Sequence, residues 1–344
     1  MKILSSKPTI TRKDLEGVLD CLINDELITG TPVKTFESNV SSITGLKYTL
    51  ATNSPTAAYH LVFKALDLSG DDEVIMPSYF SQAPLNALTL TGGRAVLLDN
   101  EEQSLFPSAT AIKEKINDKT KAVIIGHTFG FHFDFSELND LNIPLIEDIS
   151  HAFGSEADDI PVGNKGTIAI ASLEPSMIIT TGNGGMIMTN NSKYYSSIRD
   201  LRGGGNRQLN LDYTMTDLQG AMGISQLVKL KDLLKRRRDI AKTYFDTLKL
   251  TEHSTPAAFN EKYAYQSFPV LFKASNDKVE KFWKKNGVEL VHPIERPLHD
   301  FMNIRGIEFP VSDRLCKKIY SLPIYPTLTK KDIEKITKTL SSFI

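Results

Sequence analysis

Apolar positions along this chain follow two alternating patterns. Residues 48–51, 74–76, 95–98, 122–125, 144–146, 168–171 and 186–189 are short runs, mostly apolar throughout. Such runs predict strands buried on both faces. Between them the apolar spacing changes to three and four. Ala58, Leu61, Val62 and Ala65 mark a helix over residues 56–66, and residues 81–90 and 109–116 read the same way. This alternation predicts an α/β fold with a mostly parallel sheet covered on both faces.

The flanks read differently. Thr11 is an N-cap candidate with Asp14 three residues on, and Leu15, Val18, Leu19 and Leu22 then share one helix face. Residues 29–32, Thr-Gly-Thr-Pro, form a turn, and 203–205 is a glycine run in an exposed basic connection. Thr216 is expected to cap one long helix with a Leu227, Leu230, Leu234 stripe. Its run Lys235, Arg236, Arg237, Arg238 reads as a solvated face. A strand over 267–272, a helix over 279–285 and a last helix from Lys330 complete a second unit. The expected division is a large α/β domain, 1–239, and a smaller C-terminal α/β domain, 240–344.

In sheets of this kind, ligands sit at the carboxyl ends of the strands. The polar residues there are Asn53, Ser54, Ser78, Tyr79, His127, Asp148 and His151. Asp148 could pair with a cationic ring nitrogen or simply cap a helix. His127 and His151 could serve as acid and base with Asp148, or be structural. Ser54 and Thr56 open a helix that could face a phosphate, although Pro55 between them has no N–H to offer. The plain alternative for either residue is an N-cap.

Composition narrows the partners. The 344 residues are 41% hydrophobic with net charge −1, which gives no reason to expect nucleic acid or a membrane surface. Only Cys21 and Cys316 are present, without metal-ligand spacing, so no metal site is expected and a cytoplasmic location is.

One loop organises the rest. Residues 171–190, A-S-L-E-P-S-M-I-I-T-T-G-N-G-G-M-I-M-T-N, join two buried strands through Gly182, Gly184 and Gly185. With H-T-F-G from His127, P-L-I-E-D-I-S-H-A-F-G from Pro144, M-T-D-L-Q-G-A from Met215, R-P-L-H from Arg296 and S-L-P-I-Y-P from Ser321, the chain resembles the DegT/StrS-type sugar aminotransferases nearly end to end. That resemblance implies a fold-type-I (aspartate-aminotransferase-like) architecture and pyridoxal phosphate (PLP) as cofactor. It also implies a nucleotide-linked sugar as ligand, and a site at a homodimer interface.

Residue by residue, the resemblance implies that Asp148 faces the cofactor's pyridinium and His151 lies beside the ring. It further implies that Ser172, Ser54 and Thr56 lie near the phosphate, with Asp212 reaching it from the partner subunit. Met177 stands where the family carries its Schiff-base lysine. A thioether forms no imine and shuttles no proton. Pro55 replaces a glycine, Ser81 an aromatic, Asp212 an asparagine, Thr214 an arginine and Asn183 an acid.

The expectation is a family member of nucleotide-sugar or surface-polysaccharide biosynthesis without standard transaminase activity. It would be a non-catalytic binding or partner protein, as a homodimer or paired with an active paralogue. The alternatives are altered chemistry on a nucleotide-sugar, using non-covalent PLP, its amino form or no cofactor, and an ordinary transaminase whose lysine was engineered away.

Overall fold

Thr11 donates its N–H to Asp14 Oδ2 at 2.6 Å and closes a capping box on helix α1 (Arg12–Ile23). The fold, that of a computed structural model, is described for residues 2–204, 210–304 and 308–343. After α2 (Thr31–Thr44) the expected alternation begins. It runs β1 (Tyr48–Thr52), α3 (Pro55–Ala65), β2 (Glu73–Pro77), α4 (Ala83–Thr91), β3 (Arg94–Leu98), α5 (Ala109–Lys115), β4 (Thr120–Gly126) and β5 (Leu145–Asp148). A short hairpin, β6 (Glu156–Ala157) and β7 (Ile160–Pro161), precedes β8 (Ile168–Ser172), β9 (Gly185–Thr189) and α6 (Ser192–Arg199).

Seven strands form one sheet in the order β1-β9-β8-β5-β4-β2-β3. Only β9 runs against its neighbours, β1 and β8. The sheet is therefore mostly parallel, as the pattern predicts. Although the strands are apolar throughout, alternate residues serve opposite faces. Ile124, Ile146, Ile170 and Ile187 pack with Ala58, Leu61 and Val62 of α3. Ala169, Ala171, Met186 and Met188 pack with Val33, Phe36 and Val40 of α2.

The expected single helix from Thr216 is two. Thr216 caps α7 (Asp217–Val228), and α8 (Leu230–Leu248) follows after Lys229. Lys229 turns its Nζ to Asp14 Oδ2, 2.6 Å away, so the break ties α1 to the α7–α8 corner. The expected domain boundary at 239/240 falls inside α8. The basic run in α8 is not a solvated face. Arg237 is 5% exposed because it lies on the same stripe as Leu230, Leu233, Leu234, Ile240 and Tyr244. Arg236 and Arg238 donate to the carbonyls of Leu328 and Tyr263, and only Lys235 is widely exposed. Arg202, expected in an exposed connection, is also buried and pairs with Glu37 at 2.5 Å. Of the glycine run it precedes, Gly203 has φ 149 and Gly205 lies outside the described residues.

The C-terminal chain forms β10 (Phe268–Leu271) antiparallel to β11 (Ile319–Leu322), with α9 (Asn276–Lys285), α10 (Leu298–Phe301), α11 (Pro310–Lys318) and α12 (Lys330–Ser341) around it. Tyr244 and Leu248 of α8 share a core with Trp283, Ile336 and Leu340. Phe129 and Phe131, from the loop after β4, join that same core. This loop therefore fixes the C-terminal layer against the strand ends.

Candidate functional site

The carboxyl ends of β4, β5 and β8, with the start of α3, surround a cavity of about 290 Å3. Thr56, His127, Asp148, His151, Ser172 and Met177 all line it, so most of the expected site residues do converge. A second cavity of about 600 Å3 adjoins it, shares Phe80, Ser81, His151 and Met177, and extends to α8, β11 and the loop carrying Pro293.

Other expected residues stand apart. Asn53, Ser78 and Tyr79 line neither cavity. Ser54 Oγ accepts the N–H of Ala57 at 3.1 Å, which is the plain N-cap, and Ser54 does not line either cavity. Asp212 sits on an exposed turn with φ 48 and lines neither cavity in this protomer. His127 reaches the smaller cavity, but its Nε2 pairs with buried Glu147 at 2.9 Å while its Nδ1 accepts the N–H of Phe133. With both nitrogens engaged inside the protein, His127 is structural.

Asp148 has both oxygens occupied. Oδ1 accepts the N–H of Ser150 at 2.8 Å, and Oδ2 accepts the hydroxyl of Tyr59 at 2.5 Å. Tyr59 is 1% exposed. Burial, then the neighbouring Asp148 carboxylate, pushes its phenol well above the ordinary value, so it keeps its proton and donates. Ser172 is turned to the loop: its hydroxyl donates to Glu174 Oε2 at 2.9 Å.

His151 accepts the N–H of Phe129 on Nδ1 at 3.0 Å and stacks on that ring. Burial lowers its pKa, against the opposing pull of Asp148, so the ring is neutral with its Nε2 proton unclaimed. Phe129 holds φ 60, unusual for a bulky residue, and Gly130 follows at φ 90. A Cβ on Gly130 would lie 2.7 Å from the backbone of Tyr265, which is why the H-T-F-G turn ends in glycine. In the loop from β8 to β9, Gly184 at φ 151 supplies the unusual backbone angle its sequence suggests.

The R-P-L-H motif has a different use. His299 Nδ1 lies 2.7 Å from Ser78 Oγ, and its Nε2 lies 3.3 Å from Asp313. A serine, histidine and aspartate in line suggest a hydrolase triad. Ser78 is fully buried, and neither it nor His299 lines the two site cavities. The chain of bonds pins α10 to the end of β2.

The model of the DegT/DnrJ/EryC1/StrS aminotransferase family matches residues 8–341. This chain belongs to that family. GDP-perosamine synthase of Escherichia coli O157:H7 is 27% identical over 354 residues, covering 98% of this chain and 97% of the relative. The aminotransferase TlmJ of Streptoalloteichus hindustanus shares the fold with TM-score 0.92 at 24% identity, covering 99% of this chain and 98% of its own. Helicobacter pylori PseC, an aminotransferase of pseudoaminic acid biosynthesis, superposes with TM-score 0.89 at 22% identity over 99% and 98% of the two chains. The α/β fold and mostly parallel sheet expected from the resemblance are thus those of the family.

The family implies pyridoxal phosphate, and the residues present do not fit it in the implied way. No lysine lines either cavity, so no amine is at hand for an imine. Asp148, the carboxylate that would meet a pyridinium, already accepts the Tyr59 hydroxyl on Oδ2. The Ser172 hydroxyl that would meet a phosphate is bound to the Glu174 carboxylate, whose charge opposes a dianion. Tyr59, Glu174 and Arg237 were not singled out from sequence. The signal for Tyr59 was available: a tyrosine on the second turn of a helix that opens at a strand end.

Among the described residues, no group of three or more His, Cys, Asp or Glu could hold a metal ion, and no helix is long and apolar enough to cross a membrane.

Proposed function

We propose that this chain is a member of the family that binds a nucleotide-linked sugar without capturing PLP as an imine and without running transamination. The observation that carries this reading is that no lysine among the described residues lines the cavity, while Met177, which the resemblance aligns with the family's lysine, does. Two further features favour it. Tyr59 and the Ser150 N–H already bond the two oxygens of Asp148, and the Ser172 hydroxyl is bonded to Glu174. The cavities themselves persist, at about 290 and 600 Å3, which favours retained ligand binding over a purely structural part. The ligand class follows from the family and from relatives such as GDP-perosamine synthase.

We read the assembly as a cytoplasmic homodimer. Leu15, Leu19, Leu22, Ile23 and Ile28 are between 48% and 81% exposed along and just after α1, a patch too apolar to stay in water by preference. Both cysteines are free and buried, which suits a reducing compartment. Mixing purified protein with PLP and recording the absorbance tests the core of the reading. No aldimine band is expected, while a nucleotide-linked sugar is expected to raise the melting temperature. A stoichiometric aldimine would refute it.

His151 supports a second reading, altered acid/base chemistry in the same crevice. It is neutral, carries an unclaimed Nε2 proton and lines both cavities. Turnover of a keto-sugar nucleotide that vanishes in His151→Ala would favour this reading over the first.

A further inference from the structure

Arg237 has an environment that a structural arginine rarely has. It is 5% exposed and lies at the wall of the 600 Å3 cavity. Only Nη1 is used by the protein. It donates to the carbonyls of Tyr265 and Gln266 at 3.1 Å each and of Ile324 at 2.5 Å. Nε is buried with no partner, and Nη2 has none among the described residues. Among the described residues no carboxylate pairs with Arg237. Burial alone acts on the guanidinium and brings its pKa down to about 10, so it remains charged at neutral pH.

A guanidinium offers five N–H donors, and a buried cation without a counter-charge is costly. Three carbonyl dipoles offset part of that cost, and the rest waits for an anion. The other charges of the cavity do not supply or need one. Arg296 is paired with Asp300 at 2.9 Å, His151 is neutral, and Glu295 is an exposed rim residue.

We propose that Arg237 is an oxyanion site, which receives a phosphate or carboxylate group of the ligand in the larger cavity. It rests on the reading of that cavity as a ligand site, and it is independent of whether PLP binds. The protein places the cation through three carbonyls and leaves it 5% exposed. The ligand's anion replaces the missing salt-bridge partner and anchors one end of the molecule in the cavity that Met177 also lines. Because the anion meets a fixed, desolvated guanidinium, the site would favour ligands that carry the charge over neutral analogues of the same shape.

Full-length protein is titrated calorimetrically with pyrophosphate and, separately, with glucuronate. Binding of one, weakened about tenfold or more in Arg237→Gln and less in Arg237→Lys, supports the site, and the anion that binds names the source of the charge. Arg237→Gln also releases three carbonyls, so its fold is checked by circular dichroism. Wild-type crystals soaked in tungstate or bromoacetate give a second readout that needs no variant. Anomalous density within about 4 Å of the guanidinium supports the proposal. Failure of both anions to bind, or density only at other places, overturns it. If a nucleotide-linked sugar still stabilised the protein in that case, the functional reading would stand and only the role of Arg237 would fall.

Discussion

Tyr59 Oη lies 2.5 Å from Asp148 Oδ2, so a fully buried phenol satisfies the carboxylate at the end of β5 from within the chain. That contact engages from within the chain the carboxylate that the family resemblance places at a cofactor ring. The carboxylate is in place, and the proton it was expected to share with a cofactor ring comes from a side chain.

Tyr59→Phe removes the donor and leaves Asp148 Oδ2 buried and unpaired. The expected cost is about 1–3 kcal/mol of stability, read from urea unfolding of the ligand-free protein. An unchanged midpoint would mean that the bond contributes nothing.

Met177→Lys alone is expected to give at most a weak aldimine band with PLP. Combining it with Tyr59→Phe and Glu174→Ala is expected to strengthen the band, because those changes free Asp148 and Ser172. Absorbance titration of the wild type and the two variants decides. Full occupancy in the single variant would show that Tyr59 and Glu174 present no obstacle.

Asp14 links α1 to the α7–α8 corner. Burial alone would raise its carboxyl, but Lys229, then Thr11, outweigh it and hold the pKa at about 2, below the usual 3.8. The folded value is below the unfolded one, so this stability is complete above the unfolded pKa. It disappears as pH falls from near 4 towards 2. Asp14→Asn is expected to cost about 2 kcal/mol at pH 7. The gap to wild type should narrow in acid unfolding at pH 3. A gap independent of pH would remove the electrostatic explanation.

Gly220 faces α2 so closely that a Cβ would sit 2.8 Å from the backbone nitrogen of Val33. Gly220→Ala must push the helices apart and is expected to cost about 1–3 kcal/mol. Thermal melts check this, and a neutral result would show that α7 shifts freely.

Leu19 and Ile23 are 52% and 76% exposed on α1. Leu19→Glu with Ile23→Glu is expected to convert the dimer to monomer in sedimentation velocity while leaving the circular dichroism unchanged. A wild-type chain that sediments as a monomer would dispose of the homodimer.

The sequence by itself determined the layers. Apolar runs of fixed length could only be satisfied as strands buried on both faces, and the helices between them declared themselves by spacing. It also pointed to part of the polar gathering, since a parallel sheet brings strand ends to one edge: His127, Asp148 and His151 line the cavity, while Asn53, Ser54, Ser78 and Tyr79 do not. Met177 was legible because a missing amine is a property of residue type, not of geometry.

What each polar group is bonded to was decided only in three dimensions. Tyr59 and Asp148 are 89 residues apart, and nothing local predicts that the hydroxyl turns to the carboxylate. Arg237 sits in a run of four cations that reads as a wet helix face. Its burial follows from the α8 stripe set by Leu230, Leu233 and Ile240, and its missing partner follows from which carbonyls surround it. Hydrogen-bond partners and counter-charges are long-range choices made by packing, and packing is what the order of residues does not display.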